Sequence, residues 1–185
     1  MKAFSAKFLG ILFLVSASRG AVAAESKFYL LRDDKGPVPQ WCGFRSRTTF
    51  DAANQTAQPS QVATLFFSGS ALSKIQEVVE AESGDYIVYD DYLFGAGGTL
   101  RRLERQTNTF HGDAMILEVY DIGDGKARRR STVIRDLKTK KPVPKSRDVW
   151  FAELPVRTEL KRFPYFALLE NSPMPEKDKI CVKEN

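Results

Sequence analysis

The run Tyr86-Ile87-Val88-Tyr89-Asp90-Asp91-Tyr92-Leu93-Phe94, followed at once by Gly95-Ala96-Gly97-Gly98, decides the fold class. A stretch dominated by β-branched and aromatic side chains forms a strand, and a glycine cluster directly after it closes a hairpin. The same alternation recurs on both sides. Upstream, Val62 to Phe67, a Ser68-Gly69-Ser70 turn and Leu72 to Ala81 lead into Ser83-Gly84-Asp85. Downstream come Leu100 to Phe110, Ala114 to Tyr120, a Gly123-Asp124-Gly125 turn and Lys126 to Leu137. Strands so regularly spaced predict a consecutive antiparallel meander. Leu72 to Glu82 also carries a helical pattern, with Ser73 and Gln76 at capping-box spacing and Leu72, Ile75, Val78 and Val79 in a stripe. The flanking strands and the Ser-Gly-Asp turn favour a strand there.

Working outward, Lys27 to Arg32 reads as a strand, Asp33 to Pro37 as a turn, and Trp41 to Phe44 as a second strand. Thr48 to Gln61 is polar, contains Pro59 and lacks periodicity, so a long loop is expected; its Asn54-Gln55-Thr56 is a glycosylation sequon. After Lys138 the chain is basic and broken by proline, then Trp150 to Leu154 and Tyr165 to Leu169 read as closing strands before a polar tail from Ser172. The expectation is an all-β antiparallel meander of about 8–10 strands, forming a curved sheet, a half-shell or a small barrel.

The first residues have a different character. Lys2 and Lys7 precede an apolar run from Phe8 to Val15, and Ala21-Val22-Ala23 supplies small residues at a signal-peptidase spacing. Residues 1–23 are therefore expected to be a signal peptide cleaved after Ala23 or Ala24, leaving 24–185 as one exported domain in the periplasm or extracellular space. No run approaches the roughly 20 apolar residues of a membrane helix, so no transmembrane segment is expected. Lys2, Lys7 and Arg19 would leave with the leader. The remaining 25 basic residues against 23 acidic ones lower the formal net charge from +5 to +2. That balance gives no support to nucleic-acid binding. A hydrophobic fraction of 43% with 28% charged residues is that of a folded globular protein, not a disordered one.

Cys42 and Cys181 are the only cysteines, and an even pair in an exported protein predicts a disulfide tying the C-terminal tail to the N-terminal region. Closing so long a loop restricts the unfolded chain by roughly 5 kcal/mol in the loop-entropy model. Without a Cys-x-x-Cys, and with a single histidine in the chain, a redox motif or a tetrahedral Cys/His metal site is not expected.

Catalytic chemistry is thinly represented. A Ser-His-Asp arrangement would have to use His111, which sits in a His-Gly-Asp turn. The Gly95-Ala96-Gly97-Gly98 cluster links two strands instead of opening a helix, so it does not read as a phosphate cradle, and no cofactor is expected. Asp121 to Gly125 lacks the ligands of a calcium loop.

The charged residues within the strands say more. Asp90 and Asp91 are adjacent, so one of them must face the apolar side and needs a partner, with Arg101, Arg102 or Arg105 on the next strand as candidates. Arginines cluster again at Arg128, Arg129, Arg130 and Arg135, where Glu118 on the intervening strand can join a shared charged ladder. A solvated, partly compensated face explains these clusters, and so does a basic groove for an anionic envelope component.

The expected function is that of an exported, non-enzymatic binding or accessory protein of the cell envelope or extracellular space. Its candidate ligand-binding residues are Tyr86, Tyr89, Asp90, Tyr92, Arg101, Arg105, Arg128 and Arg130. The alternative is a carrier of a lipid or other apolar ligand in a β-barrel or half-barrel cavity, and the third reading is a hydrolase using His111. The partner class is an anionic or apolar envelope component.

Overall fold

A computed structural model of the chain describes residues 25–57, 59–143, 149, 153–170 and 179–184. The strands are β1 (Glu25–Asp33), β2 (Gln40–Phe44), β3 (Gln61–Ser68), β4 (Ala71–Glu80), β5 (Tyr86–Phe94), β6 (Leu100–Thr109), β7 (Ala114–Gly123), β8 (Lys126–Asp136) and β9 (Lys179–Lys183). They form one antiparallel sheet in the order β8-β7-β6-β5-β4-β3-β1-β2-β9. The sheet is open, with β8 and β9 at its two edges, so a half-shell and not a barrel is realised. The meander from β3 to β8 is consecutive, as its glycine turns require, and Leu72 to Glu80 is strand. Gly97 and Gly98 take φ values of 83° and 74° in the β5–β6 turn, a conformation side-chain-bearing residues rarely adopt. No helix among the described residues is long and apolar enough to cross a membrane.

Two expected elements differ. The stretch from Thr48 to Gln61 is not a loop: Arg47–Ala57 is a helix, α1. The Ser46 side chain accepts from the Thr49 N–H at 3.4 Å, and Arg47 pairs with Asp51 one turn on at 2.8 Å. Phe50, Ala53 and Ala57 then pack on Tyr29, Leu31, Cys42, Phe44 and Val62, forming a small cluster on one face of the sheet. This apolar stripe is only three residues wide in a Thr/Asn/Gln-rich sequence, so tertiary contact holds a helix that periodicity does not reveal. Tyr165 to Leu169 is likewise no strand, because Phe166–Glu170 forms the short helix α2. Of Trp150 to Leu154, residues 150–152 lie outside the described residues, and Glu153 and Leu154 belong to no strand.

The other face is covered by residues 153–170, a strap that crosses the sheet. Its Phe163, Tyr165, Leu168 and Leu169 join Phe28, Leu30, Trp41, Leu65, Ile75, Tyr92, Leu103 and Ile122 in the main core. Tyr165 meets Trp41 edge-on at 4.7 Å between ring centroids, and Phe163 meets Tyr92 at 4.9 Å. This strap-covered side is the inner face. At its β2 end Gly43 is obligatory: a Cβ there would overlap the Phe28 ring, which is buried and has nowhere to go.

Cys42 and Cys181 are register partners between β2 and β9, and they are disulfide-bonded across 139 positions of sequence. The bond fixes the edge strand β9, whose remaining side chains include the exposed Lys179 and Lys183. Replacing both cysteines by serine is expected to lower the unfolding free energy by about 2–5 kcal/mol. Urea denaturation of the oxidised protein against the double variant measures it.

Candidate functional site

Residues related by register across neighbouring strands share a face, and one such row on the inner face is made of charges. Glu77 on β4 stands beside Asp90 on β5, Asp90 beside Arg105 on β6, and Arg105 beside Glu118 on β7. All four are buried, between 3% and 6% exposed. A charge removed from water is tolerated only when paired and hydrogen-bonded, and each of these is. Arg105 donates Nε to Asp90 Oδ1 and Nη2 to Asp90 Oδ2, both at 2.7 Å, the bidentate fork that arginine and a carboxylate form best. Glu118 accepts from Arg129 Nη1 on β8 and from the Tyr120 hydroxyl, both at 3.1 Å. Glu77 accepts from the Tyr165 hydroxyl at 2.7 Å and is ion-paired with Arg157, and both partners come from the strap. Three carboxylates therefore meet three guanidiniums, and the row is electrically balanced.

The row also fastens the strap. Arg105 uses its remaining Nη1 donor on the Leu154 carbonyl at 2.7 Å. Burial alone would weaken the Arg105 charge, but the hydrogen bonds and charge of Asp90 hold its pKa above the ordinary arginine value. Burial is the largest influence on Glu77 and raises its carboxyl above the usual range, with the Arg157 charge and the Tyr165 hydrogen bond opposing it in part. Tyr165 and Tyr92 are raised by burial first and by the neighbouring carboxylates second, so neither is poised to lose its proton.

The eight candidate ligand residues are not brought together. Asp90, Tyr92 and Arg105 lie inside the row, with the Tyr92 hydroxyl 3.4 Å from Asp90 Oδ2. Tyr86 is half-buried at the start of β5, on the inner-face parity. Tyr89 points to the outer face and is 36% exposed. The arginines are separated by two bulges. Between Leu93 and Phe94 the register slips, so Leu100 takes the inward place opposite Phe94 and Arg101 is exposed. Between Val119 and Tyr120 a second slip puts Arg129 opposite Tyr120, which turns Arg128 and Arg130 outward. Arg130 lies 3.9 Å from Asp121, and both side chains are more than half exposed. Asp91 faces outward, accepting from Gln76 at 2.9 Å and lying 3.5 Å from Lys74. His111 is exposed in the β6–β7 turn, where its carbonyl accepts from Thr109 Oγ1 at 3.3 Å.

Glu77, Arg129, Arg157 and Tyr165 complete the row and were not among the candidates. Glu77 carried a signal, because it lies two residues after Ile75 and thus on the same strand face. Arg157 and Tyr165 carried none, being placed by a long-range crossing.

On the outer face α1 covers only the β1–β2 end. Across β4 to β7 an open groove of about 480 Å3 is lined by Gln76, Tyr89, Asp91, Glu104, Gln106, Leu117 and Val119. Tyr89, Gln106, Leu117 and Val133 form one cross-strand row through it. The groove thus offers one aromatic face and two aliphatic side chains among amides and carboxylates. No protein-family model, no curated protein and no solved structure matches this chain.

Two outcomes follow from the buried row. Asp90→Ala is expected to lower stability by about 3–5 kcal/mol, and Arg105→Ala by a similar amount, because each leaves a buried charge unpaired. The double variant should lose clearly less than the sum, which a double-mutant cycle by urea denaturation reads directly. Glu77 also links stability to pH. Its folded pKa lies above its unfolded one, so the folded state holds this proton more tightly. That stabilisation is complete below the unfolded carboxylate value and disappears as pH rises through the folded one. The stability of the native protein minus that of Glu77→Gln should therefore fall with increasing pH from about 4 upward. A difference independent of pH would show that Glu77 does not titrate in this way.

Proposed function

We propose that the protein is an exported, non-enzymatic binding protein of the cell envelope or extracellular space, and that it recognises its ligand in the outer-face groove around Tyr89. The observation that carries this reading is the contrast between the two faces. Inside, the strap packs into the main core and bonds to Arg105 and Glu77 of the charged row. Outside, the groove across β4 to β7 stays open, and Tyr89 is one of the few large apolar side chains left exposed. A tyrosine gives large contact area at low entropic expense, and flanking amides and carboxylates supply orienting hydrogen bonds. Asp91 and Glu104 in the lining repel anions, so the ligand class that suits the groove is neutral and rich in hydroxyl or amide groups, as a saccharide is.

The Cys42–Cys181 disulfide supports the export part of this reading, since such bonds persist in oxidising compartments. The lipid-carrier alternative places its ligand where Phe163, Tyr165 and Leu168 pack, and so requires the strap to leave the sheet. A hydrolase built on His111 would need a serine and a carboxylate to reach an exposed turn.

Binding of the oxidised, mature protein to an array of neutral saccharides tests the proposal. The native protein should be retained on a subset of the array, and Tyr89→Ala should reduce that retention by about tenfold or more, the scale on which a central aromatic contact contributes. Arg128→Gln should leave it unchanged. Equal retention of the native protein and Tyr89→Ala would remove the groove from consideration.

A further inference from the structure

A second cavity lies on the inner side, where the strap meets the N-terminal strands. It has a volume of about 560 Å3, and its lining includes Arg32, Gln61, Arg157, Arg162 and Glu184. Its arginines come from two segments far apart in sequence: Arg32 from β1, and Arg157 and Arg162 from the strap, where Arg162 ends a 3-10 turn at Leu160–Arg162. Three guanidiniums facing one space repel each other unless something negative stands between them. Among the described residues Glu184 is the single carboxylate in the lining. It takes the Arg32 Nε at 2.7 Å, and Asp34 lies 3.3 Å from Arg32 Nη1. Arg157 spends one nitrogen on Glu77 and lays its guanidinium over the Phe163 ring at 5.1 Å. Each guanidinium has five N–H donors, so both arginines keep donors to spare. The Arg162 side chain, whose charge reaches Glu159, makes no hydrogen bond or ion pair among the described residues, and the Gln61 side-chain amide makes none either.

We propose that this cavity is an oxyanion site that takes the phosphate or carboxylate group of a small molecule. Arg162 and the spare donors of Arg157 and Arg32 bind the anionic oxygens, and the Gln61 amide adds a neutral donor. Guanidinium forks match the planar or tetrahedral oxygens of such groups better than any other side chain. The volume falls in the range of about 300–1,000 Å3 typical of small-molecule sites, so the ligand extends beyond its anionic group. Two of these arginines differ from those of β8, which lie in solvent along a sheet edge. Arg32 and Arg157 are only 25% and 21% exposed, and less water around them strengthens their hold on an anion. Glu184 and Glu77 keep the two guanidiniums in place as positioning residues while the site is empty of anion.

Calorimetric titration of the oxidised protein with inorganic phosphate and, separately, with succinate at constant ionic strength tests the site. Saturable binding of either probe at one site per chain is expected. Arg162→Gln should weaken it by about tenfold or more, the effect of removing one charge-assisted contact. Arg162 is exposed and its side chain makes no hydrogen bond or ion pair among the described residues, so this variant should keep its thermal midpoint. Arg130→Gln removes the same charge from the far edge and should leave the affinity unchanged. Absence of saturable binding by both probes would overturn the proposal, as would equal weakening by the two variants, which indicates general electrostatic attraction. Tyr89→Ala should bind the anion normally, so this test stands apart from that of the outer groove.

Discussion

The fork between Arg105 and Asp90 is the interaction on which the rest of the inner face depends. An unpaired charge at the centre of a β-sheet is too costly to bury, and here the pair serves two purposes at once. Asp90 satisfies two of the arginine nitrogens, and a third holds the backbone of the strap at Leu154. The strap in turn brings Arg157 and Tyr165 to Glu77, the next carboxylate along the row. Pairing across β4 to β8 and docking of residues 153–170 are therefore coupled: neither the Glu77 charge nor the Arg105 fork is fully satisfied until the strap is down.

This coupling distinguishes the inner face from an ordinary apolar core. Aromatic packing of Phe163 on Tyr92 and of Tyr165 on Trp41 would hold a strap in several nearby positions, because apolar contact has little directional preference. Hydrogen bonds to carbonyls and carboxylates select one position. The row's balance of three carboxylates and three guanidiniums also keeps its field short-ranged, so the charges act locally as fasteners and not as a bait for distant ligands. Two of the open regions among the described residues, the acidic-rimmed groove outside and the arginine-lined cavity where the strap meets β1, are of opposite electrostatic character and on opposite faces.

The arginines of β8 take on a different meaning in this setting. β8 is an edge strand, and so is β9 with its exposed Lys179 and Lys183. Long open edges invite pairing with another chain, and like charges on both edges oppose it. Arg128 and Arg130 fit that protective role, since they face outward beside Asp121 and not into the row.

Strand, turn and pairing order from Val62 to Leu137 were legible because period-two alternation and glycine turns are local signals, and the disulfide was legible because two cysteines leave one intramolecular pairing. One inward carboxylate among Asp90 and Asp91, an arginine partner on the next strand, and Glu118 in a charged ladder followed from the same alternation. Which arginines face inward did not, because each bulge inserts one residue and reverses the parity after it; a strict alternation puts Arg101 inward with Arg105, and Arg128 and Arg130 inward with Thr132, whereas Arg101 is exposed and Arg129 takes the inward place. Helix α1 was hidden for a related reason, as its stability comes from three side chains resting on β1 and β2 and not from its own sequence. The strap, the open sheet and the cavity lined by Arg32, Arg157 and Arg162 were decided by tertiary structure alone. The strap and the cavity arise from contacts between residues as many as 152 positions apart, such as Arg32 with Glu184, or 88 apart, as Tyr165 with Glu77, and no local pattern encodes a meeting at that distance.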